Sequence, residues 1–363
     1  MYSVIAFIII FTVVVVVHEF GHFIFAKMHG IKVLEFAIGM GPRIFKFTKG
    51  DTTYALRLLP IGGACMFEGE DALEEEDENT KKLKEENPLE TQTAVTKGSF
   101  RNAPVWVRIM VVLAGPIFNI ILGFFLAMFV MAFWPTITPQ IGGLVEDMPA
   151  QVAGLQEDDI ITKVNGSHVY LFKEISLHTM AEGNREWTVE YERDGERFTT
   201  TLTPQMSEGG YAIGIYAKDY YQPKGFGILK YSAYEVRFWL KTTIKSLEML
   251  VQGKLTKDDM KGPVGVAKII GDTIEETKDE GFFTVFSNMV NIALLLSINL
   301  GVMNLLPVPA LDGGRFVLLL VEAVIRRPLP QKLEVAIQMT GIVLLFALMA
   351  FVLFNDVLNL FVK

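Results

Sequence analysis

His18, Glu19 and His22 form an H-E-x-x-H string inside an apolar run, VVVVVHEFGHFIFAK. On a helix, residues four apart share a face, so the two imidazoles can bind one metal ion. Glu19 projects about 100° from His18 and reaches a water on that ion rather than the ion itself. Zinc suits such a site. It brings the pKa of a bound water toward about 7, and a neighbouring carboxylate takes the proton as general base. Histidine is scarce here, five in 363 residues. Hydrocarbon also selects against ionisable groups. A chance string at this place is therefore disfavoured.

Catalytic zinc normally has three protein ligands and a water. The candidate for the third is Asp312, in NLLPVPALDGG. Its rival reading is a helix N-cap, an Asp before Gly-Gly-Arg and a helical run. Gly115 and Asn119 in GPIFN lie four apart on another apolar run. They face one way, either for close helix packing or to line the metal site.

These residues need a frame that holds them at one depth. Hydrophobic residues make up 51% of the chain and charged residues 20%, which suits a membrane protein with a water-exposed part. A net charge of −8 argues against nucleic acid as a partner. Cys65 is the single cysteine, so no internal disulfide and no cysteine-based metal site can form.

Apolar runs at 4–26, 105–134, 282–306 and 336–361 predict four transmembrane helices. The first is expected to be a retained span, because no basic stretch precedes it and no small-residue cleavage site follows. Pro307 and Pro309 should interrupt the third run, with Gly313 and Gly314 permitting a break before the next helical stretch. The short loop with Arg326, Arg327 and Lys332 is basic, hence cytoplasmic. That puts Asp312 at the depth of the histidines, and the segment between the second and third spans outside with both termini.

RIFKFT and YALRLL flank KGD and predict a hairpin whose exposed edge can take up an unwound substrate strand. The acidic stretch from Glu68 to Glu90 reads as a solvated insert. Asn165-Gly166 and Asp194-Gly195, between alternating runs, predict a small β-rich domain. An amphipathic helix follows, with a face for the membrane surface or for the small domain.

HEFGH, GPIFN, KGPVGVAKIIG and NLLPVPALDGG, in this order with four spans, resemble the site-2 protease family of intramembrane zinc metalloproteases. The nearest likeness is to its bacterial regulator-of-sigma-E type, and it covers nearly the whole chain. The resemblance implies an α-helical polytopic membrane protein of about four transmembrane helices. It adds a membrane-associated β-hairpin loop and an inserted extracytoplasmic β-rich PDZ domain. The implied organisation is 1–30 for the first span, 31–67 for the β-loop, 68–104 for a charged cytoplasmic insert and 105–135 for the second span. The PDZ domain takes 137–205, an amphipathic helical region 206–281, the third span with the LDG segment 282–325, and the basic turn with the fourth span 326–363.

The resemblance also implies zinc held by His18, His22 and Asp312, with Glu19 as catalytic base. Asn304 would contact the substrate or the developing oxyanion. The implied function is regulated intramembrane proteolysis of single-span membrane proteins such as anti-sigma factors, and of remnant signal peptides. Peptide C-termini or substrate ectodomains would meet the PDZ domain. The setting is the bacterial cytoplasmic membrane, with the active site near its cytoplasmic face. Tandem PDZ domains occur in the best-known enterobacterial members, whereas this chain has room for one. Two rivals differ in class: a transporter using His, Glu and Asp as an ion path, and a membrane-anchored PDZ scaffold. Neither predicts a catalytic loss on Glu19→Gln.

Overall fold

The computed structural model describes residues 2–69, 98–207, 210–254 and 262–361. Most of the acidic insert, and Lys261 of the KGPVGVAKIIG string, lie outside the described residues. The chain forms two compact units, Met1–Gly123 with Lys257–Lys363, and Phe124–Thr256.

The first unit begins with α1 (Tyr2–Met28), 27 residues and so about 40 Å long. Strands β1 (Val33–Lys49) and β2 (Thr52–Phe67) follow. They are far longer than the hairpin expected from RIFKFT and YALRLL, and each bends to serve twice. Glu35 to Ile38 pairs with Met66 to Gly63 on one side and with Thr53 to Leu56 on the other. Phe45 to Thr48 then pairs outside Leu56 to Thr53. The order across the sheet is therefore 63–66, 35–38, 53–56, 45–48. RIFKFT forms one edge and 63–66 the other. Glu35, buried, accepts from Arg57 at 2.6 Å and from Arg43, tying the bends together. Ile44, Phe45, Phe47 and Leu58 are left exposed, an apolar surface suited to lipid. Helix α2 (Val105–Phe133) continues through Pro116. It meets α1 at Gly21, where a Cβ would stand 2.5 Å from the Ala114 carbonyl oxygen.

The second unit is β-rich. Its main sheet runs Ser167–His168, Ile160–Val164, Trp187–Arg193, Glu196–Leu202, with neighbours antiparallel. Asn165-Gly166 and Asp194-Gly195 all take positive φ, as tight hairpins require. Trp187, Ile161, Val164 and Val189 are fully buried in its core. The fold continues past the boundary expected at 205. Ile215–Ala217 pairs back onto Ile141–Leu144, and Tyr220–Tyr221 onto Thr136–Ile137. Strands this short have no alternating run to betray them. Helix α3 (Lys173–Glu182) sits beside helix α4 (Phe226–Val251). Arg237 donates to the buried Glu174 at 2.6 Å, and Phe238 packs on Leu171 and Leu177. One face of the amphipathic helix thus belongs to this unit.

The chain returns to the first unit with α5 (Pro263–Thr277), whose N-terminal amides of Gly262 and Gly265 donate to Asp356 at 3.1 and 2.9 Å. Then come α6 (Phe282–Asn304), α7 (Asp312–Ile325) and α8 (Gln331–Phe361). Four helices among the described residues are long and apolar enough to cross a bilayer, namely Ser3–Met28, Val105–Phe133, Phe282–Asn304 and Gln331–Phe354. Glycines bring α2 and α6 together. A Cβ on Gly301 would lie 3.0 Å from the Pro116 oxygen, and one on Gly123 would lie 2.5 Å from Ile298 Cδ1. Ser297 donates to the Asn119 carbonyl at 2.7 Å. Arg108 on α2 donates to Glu322 on α7 in a buried pair.

Candidate metal centre

His18 and His22 are buried on one face of α1. His22 Nδ1 donates to the Val111 carbonyl at 2.8 Å. That bond fixes the tautomer and leaves Nε2 as a lone pair. The close α1–α2 crossing at Gly21 brings Val111 within reach. His18 Nδ1 faces the Asn119 amide at 3.4 Å, and Asn119 Oδ1 is buried without a partner among the described residues. The oxygen and nitrogen of an amide are placed by their hydrogen bonds. With the amide turned over, Oδ1 accepts the His18 Nδ1 proton, and His18 Nε2 too presents a lone pair.

Asp312 is the first residue of α7, where the helix end favours a carboxylate. The N-cap position is held by Leu311, so Asp312 is not the cap. The turn before it folds back on the helix. A Cβ on Gly313 would lie 2.2 Å from the Leu306 oxygen, and one on Gly314 would lie 2.3 Å from the Val308 oxygen. These glycines therefore serve a close approach, not the chain break expected of them. The break falls earlier, and Ala310 takes the positive φ, +76°.

His18, His22 and Asp312 converge. Asp312 Oδ2 lies 3.1 Å from His18 Nε2 and 3.5 Å from His22 Nε2, and the two Nε2 atoms are 3.3 Å apart. Zinc with bonds of about 2.0–2.1 Å to N and O spaces tetrahedral ligands about 3.3 Å apart. The three edges fit it. Among the described residues Asp312 Oδ2 is buried with no hydrogen bond, and two facing lone pairs stand beside it. Only a cation or a proton relieves that arrangement.

The other expected residues lie around this point. A Cβ on Gly115 would stand 2.3 Å from His22 Nε2 and 2.9 Å from His18 Cε1. Gly115 thus makes room for the imidazoles themselves. Asn304 Nδ2 is 3.2 Å from His18 Nε2. Glu19 turns toward the sheet, and a Cβ on Gly63 would lie 2.9 Å from its Cγ. A cavity of about 430 Å³ joins His18, Glu19, His22, Asn304 and Asp312 to residues 64–67. The sheet edge at the site is consequently 63–67. RIFKFT, the edge expected to serve, is across the sheet and does not line the cavity.

Gln338 on α8 also lines the cavity, and was not singled out in the sequence. An amide side chain inside an apolar span is the signal that could have found it. Ala310 carried no signal, because alanine rarely takes positive φ.

The model of peptidase family M50 matches residues 6–348. Among curated relatives, zinc metalloprotease RasP of Shouchella clausii is 33% identical over 429 aligned positions, covering 99% of this chain and 100% of that protein. Regulator of sigma-W protease RasP of Bacillus subtilis is 32% identical, with 99% of each chain covered. A zinc metalloprotease described as putative in Clostridium acetobutylicum is 32% identical, covering 98% of this chain and 97% of its own. Among solved structures, the PDZ domain of an SdrC-like protein from Listeria monocytogenes covers 23% of this chain at 16% identity, with a TM-score of 0.20 that is too low to bear on the fold. With a family model spanning nearly the whole sequence and relatives matched end to end, the chain belongs to peptidase family M50, the family of site-2 proteases.

Proposed function

We propose that this protein is a zinc-dependent endopeptidase that cuts single-span membrane proteins within or beside the bilayer. The observation that carries the proposal is the convergence of His18, His22 and Asp312 at zinc-like spacing, with Glu19 set between them and the sheet edge at 63–67. Convergence on one point also speaks for a fixed centre over an ion path, which calls for a succession of sites.

When bound, zinc supplies a Lewis acid and brings the pKa of a water toward about 7. His18, His22 and Asp312 hold it. The Glu19 carboxylate accepts the proton of the attacking water and returns it to the leaving amine. Asn304, beside His18 Nε2, donates to the carbonyl oxygen as charge gathers there. A helical substrate hides its carbonyls in its own ladder, so it must unwind before attack. Segment 63–66 pairs with 35–38 and forms the edge of the sheet that lines the cavity. An unwound substrate strand would add at this edge, a β-augmentation that replaces the lost helix bonds.

The Bacillus subtilis relative is named for regulating sigma-W. That name supports substrates of the anti-sigma-factor type, with remnant signal peptides as a second class. The β-rich unit is read as a PDZ domain outside the cytoplasmic membrane of a bacterium. It would bind a freed C-terminus or exclude bulky ectodomains, with the termini on its side and the metal near the cytoplasmic face.

The test is cleavage of a single-span peptide by the purified protein in lipid nanodiscs, with the cut mapped by mass spectrometry. The proposal expects a cut in or next to the apolar span, lost on chelation and restored by zinc. Cleavage that persists after metal removal, or cuts confined to the water-exposed tails, would overturn it.

A further inference from the structure

Gln338 is held at one end and unpartnered at the other. Its Oε1 accepts the Ala310 amide proton at 2.6 Å. A backbone N–H can only donate, so the oxygen must face it and Nε2 must point away. Nε2 is buried and has no acceptor among the described residues, although Gln338 lines the cavity shared by Glu19, Asn304 and Asp312. The placement of the amide is enforced three residues on. A Cβ on Gly341 would lie 2.3 Å from the Pro309 oxygen, so α8 lies against the turn at both positions. A buried donor without an acceptor is unfavourable, and more so on an apolar helix. Such a cost is offset when a ligand brings the missing acceptor.

We propose that Gln338 is a substrate-binding residue, and that its Nε2 donates to a backbone carbonyl of the unwound substrate beside the scissile bond. The proposal rests on the protease reading. The ligand is a peptide in extended form, because a helical one has no free carbonyl to offer at this place. The substrate strand is then held on two sides, by the backbone of 63–67 and by the Gln338 amide. The same side chain fixes the turn that presents Asp312, which ties strand binding to the geometry of the centre.

Two substitutions separate these functions. Gln338→Glu keeps an oxygen for the Ala310 amide and, measured at a pH where it is ionised, loses the donor, whereas Gln338→Leu loses both. Binding of a fluorescent single-span peptide is measured by anisotropy in nanodiscs, in a Glu19→Gln background that does not consume it. KM and kcat follow with Glu19 intact, and zinc content is read by mass spectrometry. Gln338→Glu is expected to bind the peptide about tenfold more weakly and to raise KM similarly, with zinc content and melting temperature unchanged. Gln338→Leu should show the same weakening, with a lower melting temperature. Unchanged peptide affinity in Gln338→Glu would overturn the proposal. So would a loss of affinity that tracks a loss of zinc, which marks a purely structural role. Failure of the parent reading looks different, since the wild type would then leave the peptide uncut, or Glu19→Gln would cut it as fast as the wild type.

Discussion

Gly115→Ala is the smallest change that should dismantle the metal centre. The added Cβ would stand 2.3 Å from His22 Nε2, 2.6 Å from His22 Cε1 and 2.9 Å from His18 Cε1. Ordinary contacts between such atoms are about 3.5 Å or more, so the His22 ring must retreat by about 1 Å. Ligand distances tolerate only about 0.2 Å. His22 is also tied to Val111 through Nδ1, and His18 is packed behind it, so neither ring can move alone. Disturbing residues behind the ligands costs about 10–100-fold in metal affinity. Displacing a ligand should reach at least the upper end, about 100-fold or 2.7 kcal/mol. The assay is competition with a chelator on the purified protein. Gly123→Ala is the control, because it crowds the flexible Ile298 on the same helix and leaves the imidazoles alone. Zinc affinity within about threefold of wild type in Gly115→Ala would refute the reasoning.

Asn119→Leu should weaken zinc binding about 10–100-fold while the protein stays folded, read by the same competition; unchanged affinity would mean that Asn119 does not orient His18. Cys65→Pro should abolish cleavage, whereas Lys46→Pro on the far edge of the sheet should spare it; equal rates would show that edge 63–67 does not hold the substrate. Burial holds the His178 imidazole below its ordinary value, with Lys241 adding to that and the Glu182 hydrogen bond offsetting only part. The unfolded chain therefore binds the proton first as pH falls, so the β-rich unit should be fully stable above about pH 6.5 and lose stability below it. Trp187, edge-on to His178, reports this by fluorescence melting at pH 5 and pH 7.5, and a higher melting temperature at pH 5 would contradict it. Single cysteines in a Cys65→Ser background should react with an impermeant thiol reagent on intact cells within 137–205 but not beside Arg326; labelling at both places would break the proposed topology.

The chemistry was more legible in the sequence than the architecture around it. His18, Glu19 and His22 stand out because helical spacing and an apolar setting are local properties. Asp312 could be paired with them through a depth argument, since a bilayer gives every span a common coordinate. The four spans were readable from length and hydropathy alone. The sheet departs from the expected hairpin for a physical reason. RIFKFT and YALRLL look like strands, but which edge meets the metal depends on how β1 and β2 fold back, and the bends at 39–43 and 57–63 leave no periodic trace. The β-rich unit ran on to Tyr221 through strands of two or three residues, too short to alternate. Gly115 and Asn119 were equally good as packing residues until their neighbours proved to be imidazoles. Gln338 gains its meaning from Ala310, 28 residues away, a partnership that no local pattern encodes.

The central claim is that Glu19 moves a proton for a zinc ion held by other residues. Zinc content and peptide cleavage, measured on the same preparations of wild type, Glu19→Gln and His22→Ala, test it most directly. The account predicts that Glu19→Gln keeps about one zinc per chain and loses nearly all cleavage, while His22→Ala loses both. Near-normal cleavage by Glu19→Gln would contradict it, and so would loss of zinc from that variant.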